Sequence, residues 1–185
     1  MPLPHPSRHA SLRCRRHRPA GFHLPELLVV VAVLSLLAAL AWPAWQSLLL
    51  RQRASALQLN LHASLSSARM QALARRQLIG LCASDDGATC SSDWSQGWMV
   101  FASGDHRAPP ASADAVLAYH RGDRHIAVHA RASSGRPQVF FQPDGRSPGA
   151  NLTLTICVGP RLHGRLVVNN GGRTRSERHH GDMTC

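Results

Sequence analysis

Apolar positions along this chain follow three regimes in succession. Residues 27–45 read LLVVVAVLSLLAALAWPAW, with Ser35 the single hydroxyl residue in the run. Counting from Phe22, the stretch reaches the ~20 residues a helix needs to cross a bilayer. Past Pro43, Leu57, Leu61, Leu65, Ala68 and Ala72 recur at intervals of three and four. Arg51, Arg53, Gln58, Arg69, Arg75 and Arg76 fill polar positions between them, the pattern of a helix with one buried stripe. The two regimes together predict one helix from about Pro25 to Leu78, bent near Pro43. Its first part, residues 22–45, belongs in a membrane or filament core, and residues 46–78 pack one face on a sheet.

From residue 79 to 185 the helical period gives way to short β-rich runs between Gly, Pro, Asp and Ser clusters. Strands are predicted at 78–82, 97–102, 115–119, 125–129, 138–142, 152–158 and 165–169. In the sixth, Leu152, Leu154, Ile156 and Val158 alternate with Thr153, Thr155 and Cys157, which predicts one buried and one outward face. The class is α+β.

Charge fixes the direction of the anchor. All 21 basic residues are arginines, and the formal net charge is +11. Arg8, Arg13, Arg15, Arg16 and Arg18 precede the apolar run with no acid among them, so removing these five leaves +6. Arginines ahead of the run hold that side in the cytoplasm and send the rest across, giving a single-pass membrane protein with an exported head. Cysteine usage agrees with export: Cys82, Cys90, Cys157 and Cys185 follow the anchor and suit two disulfides. Three pairings are open. The favoured one closes a short loop with Cys82–Cys90 and ties the C-terminal tail with Cys157–Cys185.

Glu26 is the one carboxylate at the mouth of the apolar run. A charge there is costly unless paired, although it also complements the positive end of a helix. Its surroundings, Gly21-Phe22-His23-Leu24-Pro25-Glu26-Leu27-Leu28, resemble the processing site of type IV prepilins and type II secretion pseudopilins. The resemblance implies removal of residues 1–21 by a prepilin peptidase, cutting between Gly21 and Phe22, and N-methylation of Phe22. It also implies that Glu26, fifth in the mature chain, offsets a neighbouring subunit's amine during assembly. Pro25 then occupies the first helical turn, where its missing N–H costs little. An alternative cut after Ala39-Leu40-Ala41, as in a secretory signal, would start the chain at Trp42.

Two later segments narrow the resemblance. Trp94-Ser95-Gln96-Gly97-Trp98-Met99-Val100-Phe101 and Phe141-Gln142-Pro143-Asp144-Gly145-Arg146 resemble the GspH/FimT branch. That branch implies a β-sandwich-like antiparallel head packed on the long helix, with other pilin or pseudopilin subunits as partners. The aromatics of the first segment read equally as core. Gly172-Arg173-Thr174-Arg175 resembles the GRxR motif of FimT-like minor pilins implicated in DNA uptake during natural transformation. Arginine forks suit phosphates, and Arg161, Arg165 and Arg178 extend the basic set. The DNA contact implied is independent of base sequence. The alternative is a GspH-like minor pseudopilin of the type II protein secretion system, whose basic Gly-Arg end is a solvated turn.

Enzymatic readings find little. Asp85-Asp86 falls inside the Cys82–Cys90 loop, and His120, His125 and His129 have a spacing common in surface hairpins. No cofactor is called for. A zinc site on Cys185, His179 and His180 lacks the usual ligand spacing, and the chain is read as a non-enzymatic subunit.

Overall fold

The computed structural model describes residues 23–104, 108–110, 112–149, 151–179, 181 and 183–185. Helix α1 runs Leu24–Arg75 with Pro43 inside it. The chain divides into two compact units, Met1–Trp42 and Pro43–Cys185. In the first unit every described residue is exposed, including Leu24, Leu28, Leu36 and Leu40. That helix segment shows an apolar surface all round.

The second unit holds the core. From Ala54 onward α1 buries Ala54, Leu57, Gln58, Leu61, Ser64, Leu65, Ala68 and Ala72, a stripe at three- and four-residue spacing. Each fully buried leucine here contributes about 2 kcal/mol of transfer free energy. The helix ends one turn before the predicted limit. Arg76 takes a left-handed φ of 51°, and the Gln77 N–H donates back to the Ala72 carbonyl at 3.3 Å. This closure satisfies a terminal carbonyl and turns the chain into strand β1 (Leu78–Ala83), so Leu78 is sheet rather than helix.

Two antiparallel sheets follow. The first has the order β3-β2-β1-β5, with β2 at Gly97–Ser103, β3 at Val116–Arg121 and β5 at Val139–Phe141. The second has the order β4-β6-β7-β8, from Ile126–Ala132, Leu152–Val158, Arg161–Val168 and Thr174–Arg178. Leu61 and Leu65 of α1 share one core cluster with Ile79, Leu81, Trp98 and Phe141 of the first sheet and Leu152, Leu154, Ile156 and Leu166 of the second. The predicted α+β class, a long helix packed on an antiparallel sandwich-like head, is the observed one.

The aromatics are core. Trp94, Trp98 and Phe101 are at most 1% exposed. Both indoles find a partner for their N–H: Trp98 Nε1 donates to Ser64 Oγ on the helix at 2.9 Å, and Trp94 Nε1 to the Pro137 carbonyl at 3.1 Å. Phe101 lies over Gly80, its cross-strand partner, where any side chain would collide with the ring.

Strand β8 was not predicted, and β7 begins at Arg161 rather than near Arg165. Thr-Arg-Ser-Glu-Arg carries no apolar alternation, so nothing local marks it. It is a strand because β7 offers it a backbone ladder, and its charges suit an edge. Cys157 also departs from expectation. It lies on the outward face of β6 yet is 1% exposed, because the C-terminal tail covers it: Cys157 is bonded to Cys185, Leu162 N–H donates to the Met183 carbonyl, and Cys185 N–H donates to the Pro160 carbonyl. A second disulfide joins Cys82 and Cys90, with Cα atoms 5.7 Å apart.

Within that loop Asp86 organises the turn. One carboxylate oxygen accepts from the backbone N–H groups of Ala88 and Thr89, both at 2.8 Å, and the other from Thr89 Oγ1 at 2.8 Å. The Thr89 N–H, followed by that of Ala88, holds the Asp86 carboxyl well below the usual carboxylate range. This accounts for Asp86 as a loop-forming residue. At the opposite end, Arg69 Nε on α1 donates to the Gly145 carbonyl at 3.1 Å, and Ser147 N–H donates to the Asn170 carbonyl at 3.0 Å. Gly172, at φ +74°, lies directly against Gly145 O. The 142–146 turn thus links the helix to the β7–β8 turn.

Two predictions follow from these contacts. Gly172→Ala places a Cβ on a backbone carbonyl in a left-handed conformation and should cost about 2 kcal/mol or more. Gly135→Ala, at φ +71° with open space around it, should cost less, and thermal unfolding measures both. Equal losses would mean that the Gly145 contact contributes nothing. For Asp86 the folded pKa is depressed, so its stabilisation is present above the ordinary carboxylate value of about 4 and is lost as pH falls through the folded value. Asp86→Asn should therefore flatten the dependence of stability on pH in the acidic range. Unchanged slopes would refute the assignment.

Candidate nucleic-acid interface

The arginines singled out in the sequence occupy three different settings. Arg173 is in the β7–β8 turn and exposed. Its backbone is pinned on both sides: its N–H donates to Asn169 Oδ1 at 2.9 Å and its carbonyl accepts from Asn169 N–H at 3.2 Å. Gly172 supplies the left-handed conformation the turn requires and the close approach to Gly145.

Register decides where the rest point. Leu166 and Val168 of β7 face the core, so Arg165 and Val167 face outward. Arg175 pairs with Val167 and Glu177 pairs with Arg165, which places Arg165, Arg175 and Glu177 on the outer face. Thr174 and Ser176 lie opposite Val168 and Leu166, on the helix side. There Gln58 Nε2, from α1, donates to Ser176 Oγ at 2.9 Å and to the Glu177 carbonyl at 3.0 Å. Gly164 leaves the room for that amide, since a Cβ on it would meet the Gln58 side chain.

Arg178 pairs with Gly164 and belongs to the helix side. So does Arg161, for a less visible reason. The β6–β7 register shifts between Ile156 and Cys157, so that Leu162 opposes Cys157 and Arg161 opposes Val158. The bulge reverses the alternation ahead of Gly164 and re-aims Arg161 away from Arg165. Arg173, Arg175 and Arg165 therefore share the turn and outer face, with Glu177 among them. Arg161 and Arg178 do not join that patch.

What sequence reasoning missed is the cleft these two enter instead. Arg51 and Ser55 of α1, Arg161 and His163 of β7, and Arg178 and His179 line a cavity of about 630 Å³ within the second unit. Its parts come from positions more than a hundred residues apart, and no local motif marks them.

The other candidates are quickly placed. Glu26 is exposed in the first turn of α1, where its N–H donates to the His23 carbonyl at 2.9 Å. Gly21, Phe22 and His180 lie outside the described residues. Cys185 is committed to its disulfide and is no thiolate ligand. His120 stacks on Trp98 at 5.4 Å between ring centroids. His125 immediately precedes β4 and His129 lies within it, in the other sheet, so the three do not share a hairpin.

Comparison with known proteins agrees with this architecture. The family described as Type II transport protein GspH matches residues 59–172. That match takes in the stripe of α1 from Leu61 onward and strands β1 to β7, and it stops one residue before Arg173, so β8 lies outside it. The type IV minor pilin FimU of Pseudomonas aeruginosa (strain PAO1) is similar in structure in two crystal forms. One superposes with a TM-score of 0.52 at 22% identity, covering 66% of this chain and 91% of FimU. The other gives 0.50 at 26% identity, covering 69% and 90%. The minor pseudopilin EpsH from the Type 2 Secretion System of Vibrio cholerae gives 0.51 at 12% identity, covering 68% and 96%. No curated protein matches the chain by sequence. The matched segment carries most of the helix stripe and seven of the eight strands, and the chain belongs to the GspH family of pilin-like proteins.

Proposed function

We propose that this chain is a minor type IV pilin of the FimT kind, anchored in the inner membrane by residues 22–45 with its head in the periplasm, and that it contributes DNA binding to DNA uptake. The observation that carries the DNA reading is the edge of the second sheet. Arg173 and Arg175 are exposed on a turn and strand whose backbone is fixed by Asn169, Gly145 and Gln58. A pinned backbone fixes where the two arginine side chains leave the chain. Phosphates are the natural partner for such forks, and the contact is with the DNA backbone, so any duplex serves.

Assembly is the other half of the reading. An exposed apolar helix segment needs a membrane before assembly and neighbouring subunits after it. A prepilin peptidase cuts between Gly21 and Phe22, Phe22 is methylated, and Glu26 offsets a neighbouring amine. The secretion reading has its own observation in favour, because the matching family is described by type II transport. In that reading the head contacts other pseudopilins, and the Arg173–Arg175 edge is a solvated turn.

The test is binding of the full chain, purified in detergent with its disulfides intact, to duplex DNA at several salt concentrations. Affinity should fall with salt. Arg173→Ala/Arg175→Ala should weaken binding for every DNA sequence and make the log–log salt slope shallower by about 2. Glu177→Gln removes the acid that stands between Arg165 and Arg175 on the outer face and should strengthen binding. No binding by the folded parent at low salt would leave the secretion reading, and an unchanged slope in the double variant would move the DNA contact to a different basic patch. Separately, intact-mass analysis of chain extracted from membranes should show a methylated N-terminal Phe22. A chain beginning at Trp42 would replace the anchor by a cleaved signal.

A further inference from the structure

The cleft between the helix and the β7–β8 edge has a position and a chemistry that the DNA reading does not use. Ser47, Arg51 and Ser55 lie at four-residue spacing on one face of α1 and form one wall. The opposite wall holds Arg161 and His163, brought to this side by the β7 bulge, with Arg178 and His179. Three arginines and two histidines face a space of about 630 Å³, and no described residue lining it is acidic. Ser55 Oγ and His163 Nε2 lie 3.2 Å apart across it. The Nε2 of His179 is shielded from solvent and has no hydrogen-bond partner among the described residues. A cavity so lined takes an anion with several acceptor oxygens.

The sequence beside the cleft says which anion. Between Glu26 and Arg51 the chain has no charged residue. At 1.5 Å per residue, the ~20 residues needed to cross the hydrocarbon end close to Trp42 and Trp45. Both tryptophans are exposed, and their amphipathic rings suit the headgroup layer. Leu48 and Leu49, also exposed, continue the apolar surface to the edge of the cleft. Arg51 is thus the first charge the helix presents as it leaves the bilayer, a little under two turns past Trp45. We propose that this cleft binds the headgroup phosphate of an anionic phospholipid in the leaflet from which the head emerges. The inference depends on the membrane anchoring described above and is independent of the DNA site, which lies on the turn and the opposite face of β8.

The experiment uses the full chain reconstituted into vesicles of mixed phosphatidylcholine and phosphatidylglycerol. The protein is then extracted in mild detergent, and its retained lipid is quantified by mass spectrometry. Phosphatidylglycerol should be enriched over its share of the vesicle. Arg51→Gln/Arg178→Gln should lower that enrichment roughly fivefold for each arginine removed. Arg175→Gln, on the outer face, should leave it unchanged. Both altered arginines have exposed side chains. A second readout needs no variant: the His179 ring resonances should move in vesicles containing phosphatidylglycerol and stay in place in phosphatidylcholine alone.

Absence of enrichment, equal loss in Arg175→Gln, or a motionless His179 would each overturn the assignment. Inorganic phosphate that strips the lipid at equal concentration would make the cleft a site for free phosphate and likewise overturn it. Duplex DNA binding that disappears in Arg51→Gln/Arg178→Gln and survives in Arg175→Gln would assign the cleft to nucleic acid instead. Failure of the chain to float with vesicles of either composition would sink the anchor reading itself, a result visible before any lipid is counted.

Discussion

The contact on which the head depends is the stripe of α1 against both sheets. Leu61 and Leu65 are wholly buried and share one cluster with strands from each sheet. Without the helix the two inner faces would lose their common filler, which is worth about 2 kcal/mol for each large side chain. Polar groups on the same stripe add register to that burial. Ser64 receives the Trp98 indole, and Gln58 reaches Ser176 and the Glu177 carbonyl on β8. An apolar stripe alone tolerates sliding. A buried serine and glutamine with fixed partners do not, because a shift would leave their hydrogen bonds unmade. The Gln58 amide shows the limit of the arrangement, since its Oε1 is buried with no partner among the described residues.

The same helix sets the basic edge by two routes. Arg69 holds the Gly145 carbonyl, Gly145 receives Gly172, and Gly172 makes the turn that carries Arg173. Further along, Gln58 holds β8 while Gly164 gives it room. Two motifs that look separate in the sequence, Phe141 to Arg146 and Gly172 to Arg175, are one contact in the structure. Gly172 answers the steric demand of the Gly145 carbonyl, while Gly145, at φ +77°, sits against the Arg69 and Leu73 side chains of α1.

Periodicity made the helix legible, and alternation made strands such as β6 legible, because burial on one face writes itself directly into residue order. The left-handed Arg76 that ends α1 early carries no such mark, since an arginine is an unusual residue for that conformation. Strand β8 was invisible for a different reason. Its hydrogen bonds go to β7 and its side chains to solvent or to Gln58, so burial left no trace in Thr-Arg-Ser-Glu-Arg. The bulge at β7 was invisible for a third. Leu162, His163 and Gly164 read as plain alternation, and only the pairing with Cys157 and Ile156 shows the extra residue. Reading the basic residues as one patch follows from missing that bulge.

An edge strand is a liability because its free ladder invites pairing with other chains. Here β8 carries Arg175, Glu177 and Arg178 in five residues, which discourages such pairing while leaving its backbone groups on β7 satisfied. The charges that protect the edge are also the ones available for a ligand. Strand alternation and one bulge then divide them, sending Arg175 and Arg165 outward and Arg178 and Arg161 toward the helix. Arginines thus stand on both sides of a single short hairpin, and one of the two groups meets α1. Because the two sets point to opposite sides of β8, substituting one leaves the other in place.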